Sequence, residues 1–234
     1  MLRRGEMQKL RDWLAQNEEK KKEGLFCLFS AIVAQNDHLK AWEIAVHNLE
    51  KENKREELLH AYQQAAKWSE VGEDIIRHRK YLQKAKELAQ ELSKKEEALH
   101  LQVFYANRLL QDGYITQAHQ VLQQALQQAI RLKDDLMIVT VGTTLTGLLM
   151  NQQDWEEVIS VSIAVEEASI RRKNWIGLAC GRMMRASAWK AQGKNNIAVQ
   201  LLFDTGNALN QIGAVAALNL IKARLAEFQQ MGIF

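Results

Sequence analysis

Residues typical of a helix turn return every forty positions through most of this sequence. In the clearest instance one helix pattern ends near Gly113 and another begins beside Thr116. Steps of forty forward lead to the segment with Trp155 and then to Gly193, and one step back leads to Glu73. Four equally spaced turns predict an array of helix pairs, because a single pair cannot cover its own apolar face and neighbouring pairs must stack.

A column of small residues supports the same spacing. Seven residues before each turn stand Ala66, Ala106, Thr146 and Ala186. Small side chains at one fixed position let neighbouring helices approach closely. The column therefore predicts that these four residues are buried between helices.

The absence of proline favours helices joined by short turns, and so does the abundance of Ala, Leu, Gln, Glu and Lys. We predict an all-α fold: a right-handed α-solenoid of about five antiparallel helix pairs, forming one domain over residues 1–234. The expected pairs cover roughly residues 19–52, 55–92, 95–133, 135–172 and 175–213. We expect divergent helices in 1–54, regular repeats in 55–213, and a capping helix and tail in 214–234.

Charge is distributed unevenly along the chain. Residues 1–100 carry 19 Lys/Arg and 18 Asp/Glu, whereas residues 101–234 carry 12 and 10. Because the net charge is only +3, we expect no nucleic-acid partner. The basic stretch of residues 77–86 is interleaved with acidic residues, which favours a solvated helix face. Two interpretations of the low-charge C-terminal half stay open: it is more buried, or it offers a surface to a partner or to a second copy.

Two features bear on where the protein resides. Cys27 and Cys180 match no metal or redox spacing, so free thiols in a reducing cytoplasm are expected. The apolar run from Leu25 to Ala34 follows three lysines, but it is too short to span a membrane and predicts a buried helix. We therefore expect a cytoplasmic protein without a membrane partner.

No motif in the sequence indicates catalysis. Carboxylate pairs such as Asp134-Asp135 stand at predicted helix starts, where negative charge caps a helix. His60 and His100 are one repeat apart and are expected on adjacent helices, but two imidazoles without a third ligand make a poor metal site. We predict that the protein is not an enzyme and uses no cofactor and no metal.

The segment from Leu136 to Met150 is the least charged in the chain and contains two glycines, Gly142 and Gly147. Glycine lets another backbone come close. The close neighbour is either a packed helix of the same chain or a bound peptide, and both explanations stay open.

The repeat pattern resembles the tetratricopeptide repeat over roughly residues 55–213. Gly113, Ala118, Leu122 and Ala125 match the second half of that motif. The period is forty rather than thirty-four, the closing proline is missing, and the early tryptophan of the family is not kept. The resemblance implies a binding scaffold whose first helices line a concave surface.

The resemblance also implies which side chains face a protein or peptide partner. By repeat position these concave-face residues are His60, Gln63, Lys67, His100, Val103, Asn107, Thr140, Thr143, Gly147, Cys180, Met183, Ser187 and Lys190. They are mostly polar or small. The leading hypothesis is an adaptor that holds a protein or peptide, and the alternative is a ligand-sensing domain resembling the repeat regions of bacterial transcription activators.

Overall fold

The computed structural model describes residues 4–34 and 38–233, and this part of the chain forms twelve α-helices and no strand. A short 3-10 turn, Glu18–Lys20, separates the first two helices. The helices are α1 (Arg4–Gln16), α2 (Gly24–Val33), α3 (His38–Lys51), α4 (Arg55–Val71), α5 (Ile75–Glu91), α6 (Lys95–Gln111), α7 (Ile115–Leu132), α8 (Asp135–Gln152), α9 (Trp155–Arg171), α10 (Trp175–Ala191), α11 (Asn195–Gln211) and α12 (Val215–Gln230). None of these described helices is long and apolar enough to cross a membrane.

The helix starts obey a strict spacing. From α4 onward each helix begins twenty residues after the one before it, so the forty-residue repeat consists of two equal halves. The predicted bounds of the pairs from residue 55 onward are confirmed to within a few residues. First helices of the regular pairs are α4, α6, α8 and α10, and their second helices are α5, α7, α9 and α11.

The turns between these helices share one backbone geometry. The residue two positions before each new helix has a positive φ, and these residues are Asn53, Glu73, Ser93, Gly113, Lys133, Gln153, Lys173, Gly193 and Gly213. The next N–H closes the helix end in the manner of a Schellman motif. For example, Asp74 N donates to Ser69 O at 2.8 Å and Lys194 N donates to Trp189 O at 2.8 Å.

Side-chain caps open several helices. The side chains of Asp74, Asp134, Asp154 and Asn174 accept the backbone N–H three residues further on. These bonds pair amides that have no partner within the helix. The interpretation of Asp134 as a helix cap is therefore confirmed.

The chain divides into two compact units, Met1–Asp112 and Gly113–Phe234. The column of small residues contributes Ala66 and Ala106 to the first unit and Thr146 and Ala186 to the second. All four are at most 1% exposed, as predicted from their spacing.

Within the second unit, α9 packs against both α8 and α10, and α10 also contacts α8 and α12. The capping helix α12 buries Ile221 and Phe228, while Lys222 on its other side is exposed. Ile233 packs against the core of α10–α12. Phe234, the last residue of the tail predicted within 214–234, lies outside the described residues.

Candidate functional site

An open cavity of about 620 Å³ lies between α4 and α6 in the first unit. Its two walls come from the two first helices, and its floor comes from His78 and Leu82 of α5. We call this feature the α4–α6 cavity. Its remaining lining residues are Gln63, Ala66, Lys67, Glu70, Glu97, His100, Leu101, Phe104, Asn107, Arg108 and Gln111.

Four of the predicted concave-face residues line this cavity: Gln63, Lys67, His100 and Asn107. One hydrogen-bonding group of the Gln63 side chain is already used, because its Nε2 donates to Glu97 Oε1 at 2.6 Å, from α4 to α6. Lys67 and His100 are exposed. The repeat spacing therefore brings most of the predicted residues of α4 and α6 to one place.

Val103 is the exception among them. It is only 5% exposed and belongs to the buried residues of the first unit, so it is not available to a partner. The next residue, Phe104, lines the cavity and is 61% exposed. The prediction that Val103 faces a partner is therefore wrong, because α6 buries the repeat position that Gln63 leaves half-exposed in α4.

Two groups at the base of the cavity were not among the predicted site residues. His78 is buried, and its Nδ1 lies 2.8 Å from Ala66 O; since a carbonyl only accepts, Nδ1 carries the proton. Arg108 is held by Asp112, whose Oδ1 lies 2.9 Å from Arg108 Nη2. Arg108 lies eight residues after His100, on the same side of α6, so helical spacing could have indicated it. The burial of His78 could have been indicated by its repeat position, which holds Ala118, Val158 and Ala198 in the later repeats.

The basic stretch of residues 77–86 is not a single solvated face. Besides the buried His78, Arg79 Nε lies 3.4 Å from Asp112 Oδ2, and Lys84 Nζ lies 2.8 Å from Glu50 Oε1. These cations are partly neutralised by neighbouring helices, so the stretch does not form an isolated anion site.

His60 lies in a different cavity of the first unit, one of about 880 Å³ lined by residues of α1 to α4. Its ring meets Trp42 edge to face, with centroids 5.7 Å apart. His38 and Trp68, which line the same cavity, stack at 4.0 Å. Desolvation beside these rings lowers the pKa of His60. His60 and His100 therefore line separate cavities, and no group of three or more His, Cys, Asp or Glu in the described residues could hold a metal ion.

In the second unit, six predicted concave-face residues and two exposed apolar residues that were not predicted, Leu136 and Ile176, follow one side of α8 and α10. We call this almost uncharged surface the α8–α10 face. It consists of Leu136, Thr140, Thr143 and Gly147 on α8 and Ile176, Cys180, Met183 and Ser187 on α10. Leu136 is 47% exposed and Ile176 is 52% exposed. Some residues of α8 and α10 have Cα atoms within 8 Å of each other, so the two helices are neighbours.

The predicted cation at the edge of this face, Lys190, is directed to the capping helix. Its Nζ donates to Met231 Sδ at 2.8 Å and lies 5.4 Å from the centroid of the Phe228 ring. The ammonium group therefore packs against α12 and the residues after it, and it adds little charge to the α8–α10 face.

The two arginines of α10, Arg182 and Arg185, share one buried carboxylate. Glu166 on α9 is 4% exposed, and its Oε2 lies 2.6 Å from Arg182 Nε and 2.8 Å from Arg185 Nη2. Burial raises the pKa of Glu166 and outweighs the two guanidinium groups, which lower it. Arg185 also lies over the ring of Trp189 at 5.2 Å.

The fold of the chain is that of tetratricopeptide-like helical repeats, as comparison with solved structures shows. One is the crystal structure of a Podosopora anserina protein described as a kinesin light chain, whose own TPR-like repeats are nearly identical to one another. It matches at a TM-score of 0.56 and 13% identity, over 84% of this chain and 97% of that one. BtubC (BKLC) of P. vanneervenii matches at 0.58 and 15% identity, over 95% and 88% of the two chains.

A third structure, a Rap protein complexed with competence and sporulation factor, matches at a TM-score of 0.52 and 14% identity, over 92% of this chain and 65% of that one. No protein-family model matches the sequence, and no curated protein matches it either. At these identities the likenesses concern the fold. They agree with the resemblance that the sequence pattern indicates.

Proposed function

We propose that this tetratricopeptide-like repeat protein is a non-catalytic scaffold that binds a protein or peptide on the exposed side of its first helices. The proposal covers the α4–α6 cavity and the α8–α10 face as separate surfaces, one in each unit. Helical repeats are suited to this role, because a row of similar helices offers many contact positions on a rigid support.

The observation that carries the proposal is the α4–α6 cavity. Phe104 projects into it with 61% of its surface exposed, beside the polar side chains of His100 and Asn107. An exposed aromatic ring among hydrogen-bonding groups is typical of residues that dominate binding energy. The packing of the helices does not require a phenylalanine that remains mostly in solvent.

The polar lining suits an extended peptide. The side chains of Asn107, Gln111 and His100 offer donors and acceptors to a peptide backbone. Lys67 lines the same cavity, so a peptide that places a carboxylate near the Lys67 ammonium group would gain an ion pair.

A capture experiment tests the proposal. The full chain is used as bait in its native cell, the recovered proteins are identified, and the affinity of each purified candidate is measured. We expect Phe104→Ala to weaken binding about tenfold, and Asn107→Arg to abolish it by filling the cavity.

The matched control is Ile197→Ala, which truncates a residue of α11 that is 51% exposed but lies on a second helix. This variant should bind as the parent does. Undiminished binding by Phe104→Ala, Asn107→Arg and Thr143→Arg, all with normal melting temperatures, would contradict the proposal.

A second proposal is a sensory domain that responds to a small peptide or metabolite. It is supported by the size of the α4–α6 cavity, about 620 Å³, which lies in the range of small-molecule sites. A small ligand that binds only the folded state should raise the melting temperature of the full chain in the absence of any protein partner. Phe104→Ala should then reduce that rise.

The proposed location is the cytoplasm. Cys27 and Cys180 are both free. Burial raises the pKa of each thiol, which keeps it protonated and poorly reactive. Fractionation of the native cell would test this location.

A further inference from the structure

The α8–α10 face contains a glycine that the fold does not require. A Cβ atom added to Gly147 would find no heavy atom within 4 Å, whereas one added to Gly142 would lie 2.4 Å from Val165 Cγ2. Gly147 sits inside α8, where glycine is the least favourable residue apart from proline. Gly142 is thus explained by packing inside the chain, and Gly147 leaves partly exposed helix backbone with open space beside it.

The hydroxyl groups on this face are already bonded. Thr140 Oγ1 donates to Leu136 O at 2.9 Å, and Thr143 Oγ1 donates to Val139 O at 2.8 Å. Ser187 Oγ on α10 donates in the same way to Met183 O at 2.8 Å. The hydroxyl protons are used within the helices, so the threonines mainly offer their methyl groups.

An extended peptide would be poorly served by such a surface. Its backbone N–H and C=O groups need partners when they are buried, and this face has few polar groups that are not already engaged. An α-helix pairs its own backbone groups and needs only apolar contacts. The α4–α6 cavity differs in this respect, because its amide and imidazole groups could pair with a peptide backbone.

We propose that the α8–α10 face binds the apolar side of an amphipathic helix from a partner protein, with the closest approach of the two backbones at Gly147. The inference rests on the proposed scaffold function and specifies the kind of partner. Leu136 and Ile176 provide the apolar contacts. Met183 is partly buried against the core of α10–α12, and the part of its flexible side chain that remains accessible adapts to the partner. The face lacks charge, so it matches the uncharged side of such a helix.

Two display libraries of 18-residue peptides test this proposal on the full chain. One library has randomised apolar residues at positions i, i+3, i+4 and i+7 among lysines and glutamates, and the other is identical except for two central prolines that prevent helix formation. We expect the helical library to yield binders and the proline library to yield binders at least about tenfold weaker or none.

Variants then locate the binding surface. Gly147→Leu fills the open space and should weaken the selected peptides at least about tenfold without lowering the melting temperature. Thr143→Glu should have a similar effect by adding a charge. Ile197→Glu, which adds a charge to an exposed residue of the second helix α11, is the control and should leave the affinity of these peptides unchanged.

Three results would overturn the proposal. One is a peptide from the proline library that binds equally tightly and loses its affinity in Gly147→Leu. The scaffold function would then hold, but the bound peptide would be extended rather than helical. Another is a lack of binders in the helical library, or binders that Gly147→Leu does not affect. The third is self-association of the chain that Gly147→Leu abolishes, because the occupant would then be a second copy. The scaffold function itself fails separately, when captured proteins ignore the variants of both surfaces.

Discussion

The α4–α6 pair of the first unit and the α8–α10 pair of the second unit hold the same places in the repeat but differ in packing. The first pair flanks a cavity of about 620 Å³, while α10 approaches α8 directly and packs closely on α9. The spacing of turns is the same in both regions. The difference must therefore arise from side chains rather than from helix lengths or loops.

Two repeat positions differ in side-chain size between the two regions. In α6 they hold Glu97 and Leu101, which both line the cavity. In α10, eighty residues later, they hold Gly177 and Gly181, where an added Cβ would lie 2.6 Å from Ser169 Oγ and 2.9 Å from Glu166 Cγ. The glycines therefore let α10 pack closely on α9, whereas α6 carries larger side chains at the same two repeat positions.

Gly181→Leu gives α10 the residue that α6 has and should be the most damaging of the changes considered. The new side chain must displace Glu166 and the nearby Ser162 carbonyl, so we expect a loss of about 3 kcal/mol in the free energy of unfolding. Urea denaturation measures this loss. The same substitution at the open position, Gly147→Leu, should cause no comparable loss, and equal effects at both sites would refute the packing argument.

Gly142→Ala and Gly147→Ala form a matched pair on α8. The added methyl group at Gly142 collides with Val165, so we expect a loss of about 2 kcal/mol. At Gly147 the methyl group meets no neighbour and removes a poor helix former, so we expect a gain of up to about 1 kcal/mol. Thermal unfolding of both variants gives the two signs, and a loss at Gly147 would show that α8 has a neighbour there.

Much of the fold could be predicted from the sequence, because its information is periodic. The recurring turns and the small-residue column, for example Ala106 and Thr146, locate helices and buried positions without any knowledge of long-range contacts. Of the candidate site, the exposed residues on α4 and α6 could be predicted in the same way. Periodicity could not show that α6 buries Val103 and exposes Phe104, because that choice depends on side chains of other helices.

The floor of the cavity could be predicted only in part. His78 occurs in a run of charged residues, but its repeat position holds the buried residues Ala118, Val158 and Ala198 further along the chain, which indicates burial. The sequence does not show what its ring binds, which is the Ala66 carbonyl, twelve residues away in the preceding helix. Contacts of this kind require the packed structure.

The turns should not contribute to the difference between the two units, and substitutions to glycine test this. Glu73 in the first unit and Gln153 in the second have φ values of 58° and 60°, which strain a residue with a Cβ. Glycine relieves this strain but makes the unfolded chain more flexible, which opposes the gain. Glu73→Gly and Gln153→Gly should each still raise the free energy of unfolding by about 0.5–1 kcal/mol. Calorimetry measures both effects.

The reverse change, Gly193→Gln, is the control for the turns and should destabilise by a similar amount. Unequal gains at Glu73 and Gln153 would contradict the view that the turns are equivalent. The cause of the open cavity would then lie partly in the backbone of the loops.

The smallest expected effect concerns an ion pair that occurs at the same repeat positions in both units, with the acidic and basic residues interchanged. Arg55 and Glu91 join the start of α4 to the end of α5, and the equivalent residues Asp135 and Arg171 join α8 to α9. Only the second arrangement agrees with the helix dipoles, because an acid stands at a helix start and a base at a helix end. Exchange of the first pair, Arg55→Asp with Glu91→Arg, should therefore stabilise the chain by about 0.5 kcal/mol, less at high salt.

The opposite exchange, Asp135→Arg with Arg171→Glu, should destabilise the chain by a similar small amount.

The pH dependence of stability provides an independent check of the Asp135–Arg171 ion pair. Hydrogen bonds from Arg171 lower the pKa of Asp135 below its ordinary value of 3.8. A carboxylate with a lowered pKa in the folded state stabilises the fold above that ordinary value, and the contribution is lost as the pH falls through the lowered pKa. The stability difference between the parent and Asp135→Asn should thus be present at neutral pH and shrink below about pH 4. A difference that grows on acidification would mean that Asp135 does not depend on Arg171 in this way.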